Sequence, residues 1–293
     1  MKQTRMQGNA DLLKLQDLAQ QLRRDTIRMI HHAGSGHIGG ALGLADYMAA
    51  LYGWAMAYDS DDIADPNRDR IVLSNGHTCS TWYAALARSG LIALEELATH
   101  RKMGSRLQGH PARKSMPQFI ETSSGPLGQG FPVANGIALS MKKRASNGRM
   151  YVILGDGELQ EGQVWEAFMT SAHYKLDNVC AFINYNNIQI DGKVEDVMGI
   201  APLAERISAF GWHVIQIDGH NMAAIVEALS EAAATKDKPT VIIGYTVMAK
   251  GVPFMEGQAK WHGTTPSDRE AEQALEAVGT NGRYQDFPLP VKA

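Results

Sequence analysis

An α/β fold, a parallel sheet with helices on both faces, is predicted by three features of the chain. Short apolar runs of strand length alternate with longer stretches of helical periodicity, the pattern of parallel strands joined by crossover helices. The run Met150-Tyr-Val-Ile-Leu154 has no polar alternation, as in a strand buried on both faces. Glycine loops follow such runs, with Ser74-Asn-Gly-His77 after residues 70–73 and Gly155-Asp-Gly157 after residues 150–154. Open α/β sheets bind ligands just past the carboxyl ends of their strands.

The elements follow in order. Leu15, Leu18, Ala19, Leu22, Ile27 and Ile30 recur at helical spacing and predict a helix over 12–32 that runs into Gly34-Ser35-Gly36. A second helix is expected over 42–54, a strand over 70–73, a helix over 78–89 and a strand over 118–123. Gly128-Gln-Gly130 opens a helix carrying Ala134, Ile137, Ala138 and Met141 as far as Lys143. The unit then repeats, with strands at 150–154 and 179–184 around a helix over 165–174. Residues 213–217 and 240–247 read as further strands of the same sheet, flanking an alanine-rich helix over 222–234. Residues 249–265 lack periodicity and hold Lys250-Gly251 and Trp261-His-Gly263, which reads as a long loop. Such loops are often functional. A last helix is expected over 268–278, and the tail Phe287-Pro-Leu-Pro290 is expected to fray or pack loosely, with mobility beginning at about residue 280.

At 293 residues the chain can bury a full core, and we read residues 1–293 as a single domain. A formal net charge of -3 argues against nucleic acid or an anionic membrane surface as partner. Cys79 and Cys180 lie far apart and without metal spacing, no apolar run approaches the length of a spanning helix, and the N-terminus lacks a signal peptide's apolar core. A reducing, cytoplasmic setting is the expectation.

The most informative stretch is Gly155-Asp156-Gly157 with Asn186-Asn187 and Ile188 about thirty residues on. A carboxylate, an amide and a nearby main-chain carbonyl are hard oxygen donors, the set that Mg²⁺ accepts while leaving positions for water and phosphate oxygens. Taken alone, a glycine-flanked Asp after a strand is ordinarily a turn, and an Asn pair does the same. The two turns close two predicted strands, and the longer wordings Gly155-Asp-Gly-Glu-Leu-Gln-Glu-Gly162 and Tyr185-Asn-Asn-Ile-Gln-Ile-Asp-Gly192 favour a ligand site.

At these residues the chain resembles the thiamine diphosphate enzymes, and the 155–162 wording is that of the transketolases. The resemblance runs from the first helix to about residue 265 and implies the thiamine-diphosphate-binding fold. It makes Asp156, the Asn186 side chain and the Ile188 carbonyl the ligands of Mg²⁺, for which Ca²⁺ or Mn²⁺ could substitute. Gly157 would present its backbone to the diphosphate, and Asn187 would not ligate. Ser35-Gly-His-Ile-Gly-Gly-Ala-Leu-Gly43 implies that His37 faces the substrate and handles protons. Ile38 stands where full-length transketolases carry proline, a form used by the family's separately encoded N-terminal subunits. The resemblance gives His77 a hydrogen bond near the diphosphate, and His110 contacts to donor hydroxyls. It lays the backbone of Gly125, Pro126 and Leu127 along the aminopyrimidine, and sets His262 against both cofactor phosphate and substrate. Glu161 near a helix start is ordinarily explained by capping and the helix dipole. In the family the matching glutamate also joins an acidic cluster linking cofactor sites across a dimer.

The resemblance covers only half of a transketolase. The pyrimidine-binding domain, which in the family supplies the glutamate that activates the cofactor, has no counterpart here. The implied protein is the N-terminal subunit of a split transketolase, active only with a C-terminal subunit carrying that domain, in an α2β2 assembly. It would move a two-carbon ketol unit from a ketose phosphate to an aldose phosphate. Alternatives are a split transketolase for an unusual sugar such as apulose 4-phosphate or a sulfoketose, and a non-catalytic module that binds thiamine diphosphate or a partner.

Overall fold

The structure is a computed structural model that describes residues 2–290. Five strands form its central sheet: β1 (Arg70–Leu73), β2 (Met150–Gly155), β3 (Val179–Tyr185), β4 (His213–Asp218) and β5 (Thr240–Tyr245). They lie in the order β1-β2-β3-β5-β4, and every neighbouring pair is parallel. The helices are α1 (Leu12–Ala33), α2 (Ile38–Gly43), α3 (Ala45–Ala50), α4 (Cys79–Arg88), α5 (Gly130–Lys143), α6 (Gly162–His173), α7 (Val194–Met198), α8 (Leu203–Ala209), α9 (Met222–Ala234) and α10 (Asp268–Val278).

Successive strand residues point to opposite faces, so each strand feeds two cores. Ile71, Tyr151, Ile153, Phe182 and Ile242 pack with α1, α3, α4 and α9 on one face. Val72, Val152, Leu154, Ala181 and Val241 pack with α5, α6 and α8 on the other. Burial on both sides is why these strands read as continuous apolar runs.

A third cluster explains the long loop. Ala249, Val252, Met255 and Trp261 pack against Ile27 and Ile30 of α1, Ile38 and Leu42 of α2, and Ala271 and Ala274 of α10. Apart from a short 3-10 turn at Ala259–Trp261, residues 249–265 have no regular structure, yet this private core holds them in place.

Three expectations are corrected. The helix expected over 42–54 starts earlier, at Ile38, and comes in pieces: α2, α3 and a π-helical turn over Leu51–Ala55 closed by Met56 N donating to Leu51 O at 2.9 Å. Residues 118–123 form no strand. They make turns in which Phe119 and Ile120 are buried, while Glu121 accepts from Arg68 at 2.6 Å and Arg70 at 2.7 Å. Here apolar residues plug the core without joining a ladder.

The third correction concerns the tail, which is anchored to the core through Phe287 and the partly buried Tyr284 and Leu289, while residues 291–293 lie outside the described residues. Phe287 is fully buried, its carbonyl accepts from Arg28 at 2.7 Å, and the Arg28 guanidinium lies 5.1 Å from its ring centroid. Asp286 accepts from Arg24 at 2.7 Å. Among the described residues no helix is long and apolar enough to cross a membrane.

Phe287→Ala should therefore lower the unfolding free energy by about 3–5 kcal/mol, the cost of emptying a buried aromatic site, in urea titrations followed by circular dichroism. A change within about 0.5 kcal/mol would mean that the tail is held loosely after all.

Candidate active site at the carboxyl ends of the strands

An open cleft with about 1070 Å³ of empty space lies where β1, β2 and β3 end. The strand register builds its floor. Gly155 pairs with Asn184, so Asp156, one residue past β2, comes alongside the Asn186-Asn187 turn that follows β3. Asp156 Oδ2 accepts from the N–H groups of Asn186, at 2.8 Å, and Asn187, while Oδ1 accepts from Gly157 N at 2.8 Å. Asn186 Oδ1 in turn accepts from Ile188 N at 2.9 Å, and Ile188 pairs with Lys193 in a two-residue hairpin.

No Lys or Arg pairs with Asp156 among the described residues, although it is only 4% exposed. Burial pushes its carboxyl up to about 6, against the opposing pull of the main-chain N–H groups. With one accepted bond, Oδ1 keeps lone-pair capacity for a cation, as does Asn186 Oδ1. Among the described residues no group of three or more His, Cys, Asp and Glu side chains is arranged to hold a metal. A site here would draw on one carboxylate with amide and main-chain oxygens, a hard-donor set suited to Mg²⁺ or Ca²⁺.

Beside it lies a second buried acid. Glu158 Oε1 accepts from Ser74 Oγ and from Gly128 N at 2.9 Å, and Oε2 accepts from Gly155 N at 3.1 Å. One carboxylate thus ties the loops after β1 and β2 to the entrance of α5. Burial pushes it up to about 7, and the Ser74 and main-chain donors pull the other way.

Four imidazoles meet across the cleft. The His37 ring centroid is 5.3 Å from that of His77, 5.8 Å from His110 and 5.9 Å from His262, and His77 and His262 are 5.2 Å apart. They come from four separate loops, so tertiary contacts set the cluster. Gly39 lets α2 lie against the 246–249 segment, because a Cβ there would stand 2.6 Å from Met248 Cγ and 2.9 Å from the Trp261 carbonyl. Ala249 N donates to Gly39 O at 2.8 Å, and Asn184 Nδ2 donates to Gly40 O at 3.2 Å. The 110 and 125 loops are joined by Ser124 N donating to Pro111 O at 3.0 Å. Desolvation holds His77 down to about 3 and His37 to about 4, and lowers His110 and His262. All four are uncharged at neutral pH, able to accept a proton. Nδ1 of His37 and Nδ1 of His262 are buried without a hydrogen-bond partner.

Of the residues singled out from sequence, His37, His77, His110, Gly125, Leu127, Asp156, Gly157, Glu161, Asn186, Ile188 and His262 all line this cleft. Pro126 does not; it is exposed beside it. Sequence reasoning passed over Asn75, Glu158, Asn184, Gln189 and Asp191, which also line it. Glu158 and Asp191 sat inside the quoted wordings, and the signal for Glu158 was an acid between a strand end and a helix start.

The family model for the thiamine diphosphate binding domain of transketolase matches residues 15–292. The chain is 40% identical to the 6-deoxy-6-sulfo-D-fructose transketolase subunit of Clostridium sp. (strain MSTE9), over 85% of this chain and 90% of that protein. It is 38% identical to an apulose-4-phosphate transketolase subunit of Phocaeicola vulgatus, over 87% and 90%. The solved transketolase of Leishmania mexicana superposes with a TM-score of 0.88 at 30% identity, over 94% of this chain but 42% of its own. The chain thus spans nearly the whole of the subunit relatives and less than half of that transketolase.

Asp156 and Glu158 both titrate higher folded than unfolded, so their contribution to stability is fully present below the ordinary carboxylate range. It is lost as pH rises through about 6 for Asp156 and about 7 for Glu158. The four depressed histidines act in the opposite sense as pH rises toward about 6.5, so the carboxylate contribution is read as a difference: metal-free Glu158→Gln should gain in melting temperature relative to the parent as pH rises through about 7. Melts of both proteins on one buffer series check this; identical slopes would contradict it.

Proposed function

The chain belongs to the transketolase family through its thiamine diphosphate binding domain, and from that premise we propose the roles of its residues. The site is read as the diphosphate end of a thiamine diphosphate pocket. The observation that carries this is the buried Asp156 carboxylate, which no basic side chain among the described residues neutralises and which shares its cleft with four uncharged imidazoles. The residues fit the group. A divalent cation would supply the counter-charge that Asp156 lacks, and the Asn186 amide and the Ile188 carbonyl would be its further oxygen ligands beside the cofactor's diphosphate. Gly157, following Asp156, offers main chain to the phosphates, and the Gly125 and Leu127 backbone lines the wall assigned to the aminopyrimidine. We read the cation as Mg²⁺.

When bound, thiamine diphosphate supplies a nucleophilic carbon and an electron sink for breaking the bond beside a ketose carbonyl. The chain's own residues bind, orient and move protons. His37, His110 and His262, held neutral by burial, line the cleft and accept hydrogen bonds from sugar hydroxyls or take their protons. His77, the most strongly depressed of the four, serves as a hydrogen-bonding group toward the cofactor. Glu161, exposed at the cleft edge, would join the acidic cluster that links cofactor sites across the assembly.

Supporting a split enzyme is the naming of two relatives as transketolase subunits, each of which the chain matches over 90% of its length. The partner is a C-terminal subunit bringing the pyrimidine-binding domain, in an α2β2 assembly in the cytoplasm, where the free, buried Cys79 and Cys180 stay reduced. The reaction is transfer of a two-carbon ketol unit between sugar phosphates. A sulfonated or branched sugar is the second reading, favoured by the names of the two subunit relatives, one acting on 6-deoxy-6-sulfo-D-fructose and the other on apulose-4-phosphate.

Purified alone and given cofactor, Mg²⁺, a ketose donor and an aldose acceptor, the chain should show no turnover, and adding the second subunit should restore it. Turnover by the lone chain would refute the split assignment. In calorimetry on the reconstituted pair, Asp156→Ala should abolish Mg²⁺-dependent cofactor binding. His37→Ala should leave binding within about threefold of the parent and lower turnover by about 100-fold or more. Normal binding by the Asp156 variant would sink the ligand assignment.

A further inference from the structure

One cation beside the cleft has no counter-charge. Arg101 follows the turns after α4, and its side chain reaches two loops at once. Nη1 donates to Ser35 Oγ at 3.1 Å, two residues before His37, and Nη2 donates to the Gly109 carbonyl at 3.2 Å, next to His110. The guanidinium lies flat against Gly109, where a Cβ would stand 2.6 Å from Arg101 Cζ. Its own main chain is fixed in the left-handed region, at φ 58°, with N donating to Leu107 O at 2.9 Å. Both acceptors are neutral, and among the described residues no carboxylate pairs with Arg101, unlike Arg106 nearby, which is matched by Glu96 at 2.6 Å. Nε is buried without a partner.

An arginine kept partly buried with neutral acceptors forgoes the neutralisation that usually accompanies such a charge. What it keeps is a fixed positive charge between two imidazole-bearing loops. We propose that Arg101 is a positioning residue that straps the Ser35–His37 loop to the Gly109–His110 loop and holds a fixed positive charge beside both imidazoles.

Other groups bear on the same rings. His37 is faced by His77, His110, His262 and Arg101, and burial is the largest cause of its low pKa, with His262, Arg101 and His110 pushing the same way. For His110, burial comes first and Arg101 is the other cause. His110 therefore reports on Arg101 most directly, because it carries fewer competing influences. The guanidinium acts both as a tie, through two hydrogen bonds, and as a charge, and the two actions can be separated by substitution.

The inference rests on the reading of His37 and His110 as substrate-facing only for its effect on turnover. Its electrostatic core can be measured on the isolated chain without cofactor or substrate. Histidine ring resonances followed by NMR across pH should show the His110 and His37 midpoints moving up in Arg101→Met. In Arg101→Lys, which keeps the charge and loses the two-pronged tie, they should stay near the parent values. Ser35→Ala, which cuts one tie and leaves the charge, serves as a milder control in case Arg101→Met fails to fold, and should leave the His110 midpoint in place.

In the reconstituted pair, Arg101→Met should lower kcat/KM by on the order of tenfold at neutral pH and move its acid limb upward, with cofactor affinity unchanged. Arg101→Lys should restore the acid limb while recovering only part of the rate. Unchanged histidine midpoints in a folded Arg101→Met, or an upward shift of equal size in Arg101→Lys, would overturn the proposal. Shifted midpoints with no change in turnover would instead retain the electrostatic effect and refute the substrate-facing reading of the two histidines.

Discussion

The buried, unneutralised carboxylate of Asp156 is the constraint around which the site is arranged. An acid this deep costs free energy unless it is protonated or meets a cation, and three main-chain N–H groups only partly relieve it. The two from Asn186 and Asn187 are in place because β2 and β3 run parallel in a register that pairs Gly155 with Asn184. A shift of one residue would carry Asp156 away from the Asn186-Asn187 turn and reverse every side chain on the strand between its two cores. Packing of the sheet and chemistry of the site are therefore fixed by the same alignment.

Glu158 extends the arrangement sideways. Its carboxylate gathers Ser74, Gly128 and Gly155, so the ends of β1 and β2 and the start of α5 share one acceptor. Such a group stabilises through its full set of donors, since leaving one of them unmatched in a buried place costs about 1–3 kcal/mol. The proposed cation and diphosphate would thus meet loops already held by main-chain bonds, which lowers the ordering cost of binding.

The imidazole cluster is held differently. Each histidine rides on its own loop, and the loops are joined by backbone contacts of α2 with the 246–249 segment, by the tie between residues 111 and 124, and by the hydrophobic cluster around Trp261. Asp46 contributes at a distance. It pairs with Arg23 and with His220 Nδ1 at 2.7 Å, and His220 Nε2 accepts from Val247 N at 2.8 Å, anchoring the segment against which α2 rests. That chain of contacts gives the 249–265 loop a fixed position without regular secondary structure.

What the sequence alone determined was the sheet, most of its helices and the oxygen-donor turn, because these depend on local periodicity and on short wordings whose residues are neighbours in the chain. The apolar runs at 150–154 and 179–184 and the Gly155-Asp-Gly157 loop were legible for that reason. Sequence reading failed over 118–123 because an apolar pair plugging a core looks like a strand when the ladder partner is unseen. It failed for Phe287 because burial of a tail is decided by the far surface of α1, and it passed over Glu158 because the donors Ser74 and Gly128 lie tens of residues away. The resemblance already drew the four histidines to one site, but only the tertiary structure could decide how closely their rings approach, and that among the described residues Asp156 goes without a basic partner and Arg101 stands between two of those loops without a carboxylate. Burial and the field between charges depend on distance through space, which chain order does not encode residue by residue.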